Sequence, residues 1–225
     1  MRTDIIAPLR AYARRLTSVA VLALGCLVST GAFCQALYDR FIQSVAMDRS
    51  DDVAAILARG MDPNTVDPNG EPVLVVAARA GWVPTTDLLL KAGAKVDAKN
   101  SFGDTAIMVA ALNGHLALVK KFQARGADIN PRGWTPLAYA ASNGKNDVVQ
   151  YLLDVGADIN ARSPNGTTAL MMAVRGGHEA TVDLLLAKGA DVNIRNQNEA
   201  SALAWATRGG FYGIEQSLRK YGAKP

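Results

Sequence analysis

From residue 38 onward, apolar positions recur in paired blocks at helical spacing, and each block stops at a glycine. One series of such glycines runs Gly60, Gly93, Gly126, Gly156, Gly189 and Gly222, in steps of 33, 33, 30, 33 and 33. A second series, Gly81, Gly114, Gly144, Gly177 and Gly210, keeps twelve residues ahead of the next member of the first. A fixed period of this length is the mark of a stacked repeat, which must be found before any other element is assigned. Between the two series lie stripes such as Thr86-Leu89-Leu90, Val119-Phe122, Val149-Leu152-Leu153 and Val182-Leu185-Leu186. Apolar residues three and four apart predict one helix per unit with a single buried face. Ahead of the second series a further helix is predicted, opened in most units by a hydroxyl residue, namely Thr105, Thr135, Thr168 or Ser201. Such residues suit N-caps because their oxygens accept from the free amides of the first turn. The glycines suit C-caps, where a left-handed backbone carries no penalty for a residue without Cβ.

Trp134-Thr135-Pro136-Leu137-Ala138-Tyr139-Ala140-Ala141, followed by Gly156-Ala157-Asp158-Ile159-Asn160-Ala161, resembles an ankyrin repeat, and the resemblance covers about residues 38 to 225. It implies an all-α ankyrin-repeat solenoid of about six helix-turn-helix units joined by short β-hairpin loops. The expected units are a capping unit at 37–68, repeats at 69–101, 102–131, 132–163 and 164–196, and a C-terminal capping unit at 197–225. More polar end units keep such an array soluble. The histidine of the family's Thr-Pro-Leu-His motif is replaced throughout, by Val75, Met108, Ala138, Met171 and Ala204. Some softening between units is expected from the loss. Pro72 stands where a capping hydroxyl would be, and the hairpin before Trp134 is three residues short, so that finger should be stunted. Trp82, followed by Val83 and Pro84, reads as a packing residue with an outer helix starting at the proline.

The first 36 residues follow another pattern. A basic stretch ending at Arg14 and Arg15 precedes an apolar run from Leu16 to Val28 and then small residues. That order predicts a secretory signal peptide over 1–36, cleaved after Ala36 or slightly earlier. An uncleaved inner-membrane anchor is the alternative, since the apolar run approaches twenty residues when continued through Leu37. In either case the arginines stay on the cytoplasmic side, and the remainder faces the periplasm. Cys26 and Cys34 both lie in this segment, so the mature chain is expected to carry no thiol.

Charge alters the picture once it is located. The chain has 24 basic and 20 acidic residues; four and one of them fall in 1–36, leaving 20 against 19. A body with a net charge of only +1 lacks the basic footprint of a nucleic-acid binder. His115 and His178, 63 residues apart, recur at one repeat position, and Asp62, Asp128, Asp158 and Asp191 recur at another. Residues distributed one per unit cannot share a metal, and no phosphate loop, nucleophile elbow or acid pair stands out. No cofactor, metal or catalytic residue is expected.

What the resemblance implies instead is binding of another protein, by a monomer, through the concave face of hairpins and inner helices. Two columns are candidates. One lies six residues after each capping glycine and contains Lys99, Arg132, Arg162 and Arg195, a basic ladder that is either solvated or meets an acidic partner. The other runs Val76, Val109, Tyr139, Met172 and Trp205, and either packs between inner helices or meets the partner. Trp134 tops the shortest finger, Arg79, Arg175 and Arg208 lie beside the column, and aromatics with arginine have the composition of an interface hot spot. Two mechanisms fit such an exported module: a scaffold or chaperone-like factor for another protein, or an inhibitor, such as an immunity protein, that masks a toxic or secreted enzyme. The resemblance to some exported bacterial ankyrin-like proteins adds an accessory role to a catalase in oxidative-stress defence.

Overall fold

The computed structural model of the protein describes residues 34–224. The expected signal peptide, 1–36, therefore lies outside the described residues except for residues 34–36, which belong to the first helix. Among the described residues, twelve helices follow one another: α1 over residues 34–46, then α2 (Ser50–Ala58), α3 (Val73–Ala80), α4 (Val83–Lys91), α5 (Ala106–Asn113), α6 (Leu116–Ala124), α7 (Pro136–Ser142), α8 (Asn146–Asp154), α9 (Ala169–Arg175), α10 (Glu179–Ala187), α11 (Ala202–Gly209) and α12 (Tyr212–Lys220). The odd-numbered helices from α3 to α11 pack in a row, and the even-numbered ones form a parallel second row. The result is an all-α solenoid of helix pairs. Fingers project between α2 and α3 and at each later outer-to-inner turn; two of them carry isolated antiparallel bridges, Val66 to Pro72 and Arg195 to Ser201. Among the described residues, no helix is long and apolar enough to cross a membrane.

The core lies between the rows. Phe41, Phe122, Leu118, Leu152, Leu185 and Leu218 are each fully or almost fully enclosed, and the apolar residues form one continuous cluster along the chain. Four of the positions lacking the family histidine, Val75, Met108, Ala138 and Met171, are buried apolar residues within the inner row, while Ala204 of the last unit is exposed. Thr135, Thr168 and Ser201 accept from the amides of Ala138, Met171 and Ala204, as N-caps should. The outer helix after Trp82 begins at Val83, one residue earlier than expected, because proline fits the second helical position as well as the first.

The second glycine series has a reason that spacing alone does not disclose. Gly81 and Gly144 have left-handed backbones (φ +82° and +64°), and a Cβ on either would come within 2.7 Å of the next unit's imidazole, His115 or His178. Those rings bond back across the unit boundary, His115 Nε2 to the Arg79 carbonyl at 3.2 Å and His178 Nε2 to the Ser142 carbonyl at 3.0 Å. The histidines therefore hold neighbouring units together, each acting alone.

A second set of cross-unit bonds runs along the bases of the fingers. Asn64 Oδ1 accepts from Lys95 N (2.8 Å), Asp97 Oδ1 from Asp128 N (3.1 Å), Asn130 Oδ1 from Asp158 N (2.8 Å), Asn160 Oδ1 from Asp191 N (2.9 Å) and Asn193 Oδ1 from Lys224 N (2.9 Å). These acceptors each stand four residues after a capping glycine. The recurring aspartates act more locally, since Asp62, Asp128, Asp158 and Asp191 accept from the amide two residues on and shape the turn.

Candidate functional site

The inner helices and fingers present the candidate residues on one face. At each finger tip one residue is left-handed: Gly70, Gly103, Gly133, Gly166 and Glu199, the last at φ +56°. Counting from these residues shows how the fingers are built. Lys99, Arg162 and Arg195 stand four residues before their tips, but Arg132 stands one before Gly133, in the place of Phe102 and Asn165. The three-residue deletion falls between Asn130 and Thr135, so it removes the ladder position and moves Arg132 to the tip of the short finger. The basic ladder is thus interrupted. It is also partly occupied internally, since Arg162 Nη2 donates to the Arg195 carbonyl at 2.7 Å and Arg195 Nη1 to the Glu199 carbonyl at 2.9 Å. All four side chains are exposed, and the structure does not gather them into one site.

The other candidates are brought together. Trp134 follows the tip of the short finger and lies half-buried beside Tyr139, the two rings meeting edge to face at 6.3 Å and 89°. With Leu112, Ala138, Ser142, Met172 and Arg175 they line a hollow of about 180 Å³. Arg175 also borders a second hollow of about 530 Å³, walled by Trp205, Arg208, Phe211 and three asparagines, Asn165, Asn196 and Asn198. A continuous groove therefore crosses the last three units. The apolar column divides within it: Val109 is fully buried in packing, whereas Tyr139, Met172 and Trp205 keep an open face towards the groove.

Charge is distributed unevenly along this groove. Arg79, Arg175 and Arg208 each occupy the seventh position of an inner helix. Arg79 is ion-paired with Glu71, which follows the tip of its own finger and also accepts from Asn100 Nδ2 at 3.2 Å. Among the described residues, neither Arg175 nor Arg208 has a carboxylate within ion-pair reach. Tyr139 donates its hydroxyl to Asp104 of the preceding unit. Burial, reinforced by that bond, pushes its phenol well above the ordinary value, so it stays protonated as a donor.

Sequence reasoning missed Asp104, the three asparagines and Phe211. Of the asparagines, Asn196 carried a usable signal: like Asn100 it stands seven residues after a capping glycine, and the side-chain oxygen of each accepts the two amides that close its finger. Phe211 stands where His115 and His178 stand in earlier units, and it packs against Gly177. Among the described residues, no group of three or more His, Cys, Asp or Glu is placed to hold a metal ion.

A two-row helical stack with finger loops and an open groove defines a repeat solenoid. The family profile for ankyrin repeats (3 copies) matches residues 42–132, 85–163, 108–196 and 155–225. The chain belongs to the ankyrin-repeat family. It is similar to ankyrin repeat and SAM domain-containing protein 6 of Mus musculus, 39% identical over 74 residues, which are 31% of this chain and 8% of that protein. Protein phosphatase 1 regulatory subunit 27 of Mus musculus is 42% identical over 69 residues, 29% of this chain and 45% of that protein. The mitochondrial disaggregase of Bos taurus is 36% identical over 113 residues, 48% of this chain and 16% of that protein. The chain thus matches less than half the length of each of these relatives. Ankyrin-repeat proteins are generally non-catalytic modules of protein–protein interaction.

Proposed function

We propose that this chain is an exported bacterial protein that holds a protein partner in its concave groove, acting in the periplasm as a scaffold or chaperone-like factor. The observation that carries the reading is the continuity of the two hollows through Arg175, with Trp134, Tyr139, Met172, Trp205 and Arg208 along one surface. Half-exposed aromatics flanked by unpaired arginines are the groups that contribute most when a partner excludes water from them. The relative named a regulatory subunit of a phosphatase is in keeping with such a binding role. The location rests on the charge and hydropathy order of residues 1–36. The binding unit extends over 37–225, six helix pairs with polar ends.

The test uses the full chain expressed in a Gram-negative host. Cell fractionation should recover it from the periplasm; recovery from the cytoplasm refutes the export reading. Affinity capture should retain a protein on the wild type that is lost from a folded variant carrying Trp134→Ala, Tyr139→Ala and Arg175→Ala. Equal capture by both moves the binding surface elsewhere. A scaffold leaves the captured protein's activity intact or raised, whereas abolished activity favours an inhibitor.

A further inference from the structure

The first complete finger contains a template for what the last two lack. In that unit the residue after the tip is Glu71, and its carboxylate neutralises the arginine at the seventh position of the following helix, Arg79. In the last two units the same arginine is present as Arg175 and Arg208, but the residue after the tip is Thr167 or Ala200. Each of these units has the cation without that counter-ion. Both arginines border the larger hollow, Ala200 lines it directly, and asparagine amides surround it. Two guanidinium groups left unpaired in one concave space repel each other, and that cost is removed when carboxylates enter.

Resting on the groove reading above, we infer that the C-terminal half of the groove takes an extended acidic peptide segment of the partner, whose carboxylates stand in for the Glu71 carboxylate at Arg175 and at Arg208. Neighbouring inner helices lie roughly 10 Å apart, and an extended chain advances about 3.3 Å per residue. The two carboxylates therefore sit about three residues apart. An apolar side chain beyond the Arg175 end enters the hollow formed by Trp134, Tyr139 and Met172. Nothing equivalent is available at the N-terminal end, where Glu71 already occupies Arg79 and Asp104 faces the groove through Tyr139.

The experiment selects displayed random peptides, long enough to cross both hollows, on the full-length wild-type protein. The recovered consensus is then titrated by fluorescence anisotropy against the wild type and three variants. Acidic residues about three positions apart, beside an apolar one, should be enriched. Ala200→Glu, which copies the Glu71 arrangement at Arg208, and the pair Arg175→Gln with Arg208→Gln should each weaken binding by about tenfold or more, the worth of one charge-assisted contact. Arg79→Gln should leave it within about twofold. Enrichment without acidic residues, no enrichment at all, or unchanged affinity in both groove variants overturns the inference. Circular dichroism separates lost binding from lost fold, and the exposed arginine pair decides the outcome should Ala200→Glu not fold. Capture of a partner protein in the earlier experiment, with none of these effects, would sink the carboxylate inference and leave the groove reading standing.

Discussion

Replacing Asn130 by alanine tests whether the ladder at the finger bases contributes to the coupling of neighbouring units. Asn130 makes two bonds to the next unit: its Oδ1 accepts from Asp158 N at 2.8 Å, and its Nδ2 donates to the Gly156 carbonyl at 3.0 Å. Asn160 makes only the first kind, to Asp191 N at 2.9 Å. A neutral hydrogen bond contributes about 0.5–1.5 kcal/mol net, and these sites are exposed, so water replaces part of what is lost. We expect Asn130→Ala to cost about 1–2 kcal/mol and Asn160→Ala about half of that. For a chain of this size the larger loss lowers the melting temperature by roughly 3–6 °C. Asn130→Asp keeps the acceptor and loses the donor, so it should fall between the wild type and Asn130→Ala. Urea titration and thermal scans followed by circular dichroism measure all three. If Asn130→Ala costs no more than Asn160→Ala, or if neither can be told from the wild type, the ladder does not couple the units.

Two further outcomes follow from the backbone and from Tyr139. Glu199 holds the left-handed tip position that four other fingers give to glycine, so Glu199→Gly should stabilise the chain by about 0.5 kcal/mol, the relief of strain less the added freedom of the unfolded chain; a thermal scan showing destabilisation contradicts this. Folding raises the Tyr139 phenol above its ordinary value. Its contribution is therefore complete below the unfolded phenol pKa and declines as pH rises towards the higher folded one. The stability difference between wild type and Tyr139→Phe should be flat from neutral pH to about 10 and shrink above that, and a difference that shrinks only on the acid side would refute the assignment.

Much of this architecture was readable from the chain because helix ends and apolar faces are local properties. The two glycine series marked twelve-residue outer segments, and Thr135, Thr168 and Ser201 act as the N-caps their chemistry suggests. The groove was readable only by composition. Trp134, Tyr139, Met172 and Arg175 line one hollow, but Arg132 was counted forward from a glycine across a deletion that shifts it to the finger tip. Register in a shortened loop is decided at its far end, by the left-handed residue before the cap. The asparagine rungs and the Tyr139–Asp104 bond join residues about thirty positions apart. Their partners are chosen by stacking, which no single repeat encodes.

The deletion itself shows what the fingers are free to do. Asn130 bonds to the next unit as Asn64 and Asn160 do, and Thr135 caps its helix as Thr168 does, although the chain between Asn130 and Thr135 is three residues shorter than in the other fingers. Finger length is insulated from the stack on both sides. Chain can be added or removed there without altering the spacing of the helices, so the reach and chemistry of the groove can be changed one unit at a time on a scaffold that stays the same.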